Sequence, residues 1–150
     1  MGKFYLLTMS SFSSSLSIIS FNCKGFRYKT HDYVQSLFNK CDFLLIQEHW
    51  LLSSQFYHFS KYVKGACYTA NTDMPDDTLG PGRPYGGTAI LWHDNVNCKV
   101  DIINTISGRL SSVHVTIDSK QYLIITVYMP SYRAGVVRRC MEIYFLKYHN

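Results

Sequence analysis

The chain has 150 residues, 47% of them hydrophobic and 17% charged, with a net charge of +5. This length supports one domain that buries roughly 70% of the surface its unfolded chain exposes, and the composition excludes an intrinsically disordered chain. No apolar run approaches the roughly 20 residues of a membrane span, so no membrane partner is expected.

Residues 1–15 carry one lysine, a short apolar patch and a run of serines, and read as a mobile leader. They are too short for a secretory signal, and Leu6 stands where a myristoylation signal needs Ser or Thr. The run at 16–21, LSIISF, is apolar and β-branched and stops at Asn22-Cys23-Lys24-Gly25, which predicts a strand. Tyr33, Val34, Leu37 and Phe38 recur at helical spacing, predicting a helix over 30–40 with Thr30 as its cap. Residues 43–46 predict a second, buried strand. A short helix is expected within 51–63, through Phe56 and Phe59, and a third strand at 67–70.

Residues 71–85 hold three of the four prolines and predict a long loop, of the kind that is functional or disordered. GGTAILWH, at 86–93, resumes as a strand. Over 109–118, Val113, Val115 and Ile117 alternate with polar residues, the period of a half-exposed antiparallel strand. Residues 118–121 predict a hairpin turn into the apolar strand 122–129, closed by Pro130. The segment 135–150 reads as the start of a helix. The order predicts a mixed α/β fold with an antiparallel-rich sheet.

The five cysteines, Cys23, Cys41, Cys67, Cys98 and Cys140, are odd in number, widely spaced and form no CxxC pair. That argues against a disulfide framework or a zinc site, and for reduced thiols in an intracellular protein. The basic excess suits a polyanionic partner. It is scattered, with Lys24, Arg27 and Lys29 in one cluster and Arg133, Arg138 and Arg139 in another.

Three predicted strands end in chemically useful residues: Asn22, Glu48 (after Gln47) and Tyr128. In α/β sheets, ligands gather beyond the carboxyl ends of strands. A carboxylate and an amide oxygen are hard donors that suit Mg²⁺, and a tyrosine hydroxyl can hydrogen-bond a phosphate oxygen. Each residue also has an ordinary explanation, as a turn, a strand end or a rim.

The motifs SFNCKGF, DFLLIQEHW, GRPYGGTAILW, GRLSSVHV and LIITVYMP occur in register across residues 18–130. Together they resemble the endonuclease/exonuclease/phosphatase family, and within it the apurinic-endonuclease-like domain of non-LTR retrotransposons. The resemblance implies a DNase I-like four-layer α/β sandwich and Mg²⁺-dependent cleavage of DNA phosphodiesters, with a nuclear location if DNA is the substrate. By the same resemblance Glu48 ligates the metal, and Asn22 helps to hold it and the catalytic groups. Tyr128 contacts the scissile phosphate, and Gly86 and Gly87 open a central strand in a structural role. His49 is a neighbour of the site and not its base. Lys24, Arg83 and Ser131 are candidate nucleic-acid contacts.

The departures are specific. The family's Gly-Asp-x-Asn and Asp-His motifs supply the group that activates water, further metal ligands and a phosphate-holding histidine, and the chain contains neither dipeptide. Ser131 stands where an asparagine follows the Tyr-Met-Pro motif. Residues 16–150 therefore read as the N-terminal part of such a domain, an incomplete sandwich that is inactive alone. The alternative is a non-catalytic retrotransposon remnant or binding module. An incomplete sandwich would also leave one sheet face bare, which predicts a partner chain or aggregation.

Overall fold

The computed structural model describes residues 4–10, 15–74, 85–129 and 141–148, with side chains over 15–74 and 85–129. Among these, the chain runs β1 (Phe4–Ser10), β2 (Ser15–Asn22), α1 (Tyr28–Phe38), β3 (Phe43–Gln47) and α2 (His58–Tyr62). It continues through β4 (Ala66–Asn71), β5 (Thr88–His93), β6 (Lys99–Ile103), β7 (Leu110–Ile117), β8 (Lys120–Tyr128) and β9 (Met141–Tyr148). One sheet has the order β1-β2-β3-β5-β4 and the other β6-β7-β8-β9. Among the described strands only β2 and β3 run parallel, joined through α1 as a crossover.

Both faces of the first sheet are apolar, which explains why β3 reads as a continuous hydrophobic run. Leu44 and Ile46 face α1 and α2, packing with Ile19, Phe21, Leu37, Phe38 and Phe59. Phe43 and Leu45 face the other way, joining Ile18, Ile90 and Trp92 against Val113, Val115, Tyr122 and Ile124 of the second sheet. The face that the sequence predicts to lie bare is therefore covered by the second sheet. Among the described residues no helix lies on the outer face of that second sheet, where Leu123 and Ile125 are half-buried. The described layers are thus helices, sheet and sheet.

Two sequence expectations are corrected at the ends of the chain. Within the predicted mobile leader, residues 4–10 pair antiparallel with β2 along their whole length, from Phe4↔Phe21 to Ser10↔Ser15. Within the predicted terminal helix, Met141–Tyr148 pairs with β8 from Tyr128↔Met141 to Gln121↔Tyr148. Both strands cap an edge that would otherwise carry a row of unpaired N–H and C=O groups. MEIYFLKY is rich in residues that favour a pleated surface, and that preference outweighs its apolar spacing.

Smaller differences are local. α1 begins at Tyr28, with Arg27 as N-cap, and Thr30 sits in its first turn with its hydroxyl accepting the Arg27 N–H at 2.8 Å. The hairpin between β7 and β8 turns through Asp118 (φ +48) and Ser119 (φ +60). Two left-handed residues are what a two-residue turn matched to strand twist requires.

Candidate active site

β2 and β3 end side by side, with Asn22 opposite Gln47. Beyond that pair the chain does not reverse through Gly or Asn. Glu48 and Trp50 both adopt left-handed backbone, at φ +55 and +59, with His49 between them. Such a conformation costs a residue with a Cβ about 1–2 kcal/mol, so the surroundings must hold it. They do so from two sides. Glu48 N–H donates to Gly87 O at 2.9 Å and Trp50 N–H to Gly86 O at 3.1 Å, while Gly25 N–H and Phe26 N–H donate to Glu48 O and His49 O at 2.7 and 2.8 Å.

The Glu48 side chain is 5% exposed. Its Oε1 accepts a hydrogen bond of 2.8 Å from Asn22 Nδ2, and Asn22 Oδ1 in turn accepts the Lys24 N–H at 3.2 Å. Asn22 is therefore fixed at both ends and aims the carboxylate. Tyr128, the last residue of β8, comes to the same place by another route. A Cβ built on Gly86 would lie 3.8 Å from the Tyr128 ring, so that ring stands against the backbone that grips Trp50 and Glu48.

His49 is fully buried behind this turn. Its Nδ1 lies 2.9 Å from the Leu51 N–H, which can only donate, so the ring hydrogen sits on Nε2 and is given to Asn71 O at 3.1 Å. Burial pushes its pKa down to about 4, partly opposed by hydrogen bonds to the backbone of Asn71 and Thr88. A ring that is neutral, with both nitrogens engaged, is a strut and not a base. Gly87 is the cost of placing it there: a Cβ at that position would lie 2.3 Å from His49 Cε1, and its φ is +82. Cys23, also beside the turn, has its thiol pushed up to about 12 by burial, which leaves no thiolate nucleophile at neutral pH.

Beneath the site the sheets are tied by polar groups that sequence reasoning missed. Gln47 Nε2 donates to Thr126 Oγ1 at 2.7 Å across the interior, and the Thr88 and Ser111 hydroxyls meet at 2.9 Å. Asn71 Nδ2 donates to Leu110 O and Ser111 Oγ at 3.1 and 3.0 Å. Gly108 approaches so closely that a Cβ would lie 2.0 Å from the backbone of Thr72 and Asp73. The one sequence signal was a run of polar residues, Gln47, Thr88, Ser111 and Thr126, on strands otherwise built to be buried.

Lys24, Arg27 and Lys29 are exposed on the segment that follows Asn22, and the Arg27 guanidinium lies 5.1 Å from the centre of the Trp50 ring. Arg83 and Ser131 lie outside the described residues. Among the described residues, no three His, Cys, Asp or Glu side chains converge on one point. With the Asn22 amide engaged at both ends, the donor set is one buried carboxylate, that of Glu48. That fits a hard cation such as Mg²⁺, which takes one or two carboxylates and fills its remaining positions with water and substrate oxygens. No helix among the described residues is long and apolar enough to cross a membrane.

A comparison with curated proteins finds no match. The model of the Endonuclease/Exonuclease/phosphatase family matches residues 19–147, well over half of the chain. That span takes in Asn22, Glu48, the glycine pair and Tyr128, together with β3 to β8. The chain belongs to the endonuclease/exonuclease/phosphatase family.

Proposed function

We propose that the site holds Mg²⁺ against a DNA phosphodiester, as the metal-and-phosphate half of a retrotransposon-type endonuclease centre. The family supports phosphodiester or phosphate hydrolysis as the reaction class. The observation that carries the finer reading is Glu48, a buried carboxylate held in a strained turn at the strand ends and aimed by Asn22. The exposed Lys24, Arg27 and Lys29 beside it favour a polyanion over a small neutral ester.

In this reading Glu48 holds the cation and Asn22 keeps the carboxylate oriented. The Tyr128 hydroxyl donates to a non-bridging oxygen of the phosphate. A bound Mg²⁺ supplies positive charge where negative charge grows on the phosphoryl oxygens. Water attacks phosphorus in line as the opposite P–O ester bond breaks, the attacking water giving its proton to solvent and the leaving oxygen taking one from solvent. His49 does not take the water proton, because both ring nitrogens are already engaged. The family motifs that would supply that base are absent from the sequence. General-base catalysis is worth roughly 10²–10⁴-fold, so cleavage by this chain should stay near background.

A second reading, a nucleic-acid-binding module without catalysis, is favoured by the same missing motifs. Mn²⁺ titration followed by electron paramagnetic resonance, with plasmid nicking in the same buffer, tests both. Mn²⁺ should bind the wild type and not Glu48→Gln, with nicking at background. Binding that Glu48→Gln leaves unchanged sinks the metal-site reading. Mg²⁺-dependent nicking abolished by Glu48→Ala would show instead that the chain is a complete enzyme.

A further inference from the structure

We propose that Asn71 is a positioning residue that sets the spacing between Glu48 on the first sheet and Tyr128 on the second. The inference rests on the metal-and-phosphate reading above and extends it to a residue outside the family motifs noted in the sequence.

Glu48 and Tyr128 belong to different sheets, and a site using both needs their separation held to a fraction of an ångström. Asn71, the last residue of β4, has a hydrogen bond toward each. Its carbonyl oxygen accepts the His49 Nε2 hydrogen at 3.1 Å, and His49 is the residue between the two left-handed positions. Its side-chain amide reaches across to the second sheet, donating to Leu110 O and Ser111 Oγ. The next link is short, since Tyr128 N–H donates to Arg109 O at 2.9 Å and Leu110 pairs with Val127. The path from Glu48 to Tyr128 is therefore His49, Asn71, then the first residues of β7.

The neighbours fix Asn71 in that role. The Ser111 hydroxyl that accepts from Asn71 donates to Thr88 O, and Thr88 pairs with Asn71 across β4 and β5. On the far side, Gly108 N–H donates to Asp73 Oδ1 at 2.6 Å and Arg109 Nε lies 3.3 Å from Asp73 Oδ2. The amide thus has one low-energy placement. An aspartate there is of the same shape but has no N–H to give to Leu110 O.

A role in spacing predicts a loss of coupling between ligands. Metal at Glu48 and phosphate at Tyr128 should strengthen each other's binding only when correctly spaced, and that coupling is a measurable free energy. The test uses the whole chain, Mn²⁺ and a short single-stranded DNA oligonucleotide, comparing wild type, Asn71→Asp, Ser111→Ala and Glu48→Gln. In the wild type, saturating Mn²⁺ should tighten oligonucleotide binding about tenfold. Asn71→Asp should bind each ligand alone within about twofold of wild type and show almost no coupling. Ser111→Ala, which keeps the bond to Leu110 O, should fall between them and serves if Asn71→Asp fails to fold. Simple destabilisation would weaken both single-ligand affinities alike. Full coupling retained in either folded variant overturns the role of Asn71 and leaves the Glu48 reading standing. Mn²⁺ binding unaffected by Glu48→Gln overturns the reading and the inference with it.

Discussion

Glu48 and His49 meet demands that an ordinary turn does not make. The carboxylate must be buried yet reachable, and the backbone bearing it must stay left-handed although its side chain disfavours this. The hydrogen bonds from Gly25, Phe26, Glu48 and Trp50 and the His49 strut offset that cost. Gly87→Ala should accordingly be among the most damaging small changes, by about 3 kcal/mol or more, because it combines a left-handed residue with a clash against a buried ring. Urea unfolding measures it directly. His49 also predicts an acid limit. An unfolded chain protonates this ring near pH 6.5, but burial makes the folded chain refuse the proton until about pH 4. Stability is full above the upper value and falls as pH drops through that window, by about 3 kcal/mol from this residue. His31 and His58, lowered by burial and neighbouring positive charge, act in the same direction. His49→Gln should show a flatter, but not flat, loss of unfolding free energy between pH 7 and pH 4.

The elements show what local sequence can and cannot announce. β2, α1, β3, β5, β7 and β8 were legible because each combines a clear hydrophobic period with a stop signal, such as Asn22-Cys23-Lys24-Gly25 or Asp118-Ser119. Glu48 was legible for the opposite reason, as a charged residue where a turn former belongs. β1 and β9 were misread because a strand at a sheet edge is defined by its neighbour more than by its own pattern. The link that Asn71 makes to the second sheet was invisible, since an asparagine opening a proline-rich stretch is an ordinary loop signal and its partners lie 39 and 40 residues away. Gly108 was equally silent, because its requirement comes from the backbone of Thr72 and Asp73 and not from a turn. Gly108→Ala should destabilise by about 2–3 kcal/mol through overpacking against backbone, read from the shift in thermal midpoint. Deleting residues 1–10 should leave β2 at an open edge. Amide exchange along residues 16–22 would then accelerate, whereas unchanged protection would mean that β1 contributes nothing to that edge.

For the whole molecule, the inner face of the first sheet packs on the second sheet. The two sheets are joined by an apolar core with a polar layer at the site end. That layer is less forgiving than the core around it. Thr126→Val, nearly isosteric, should cost about 1–3 kcal/mol because Gln47 Nε2 loses its bond across the interior. Gln47 Nε2 also donates to Ser20 Oγ at 3.1 Å, and an unfolding free energy unchanged within error would show that this bond alone satisfies it.

The same polar layer bears on synthesis. Gln47 and Thr126 are 79 residues apart, and the Glu48 turn also needs Gly86, Gly87 and Asn71. A chain emerging from the ribosome can pair β2 with β3 across α1 early, but the strained turn is then held only by Gly25 and Phe26, and lacks Asn71, Gly86 and Gly87 until β4 and β5 arrive. Contacts this distant form late and slowly. Nascent chains should therefore pass through a stage in which the scaffold around the site exists and the turn at Glu48 is relaxed, and the site is assembled only as the second sheet docks.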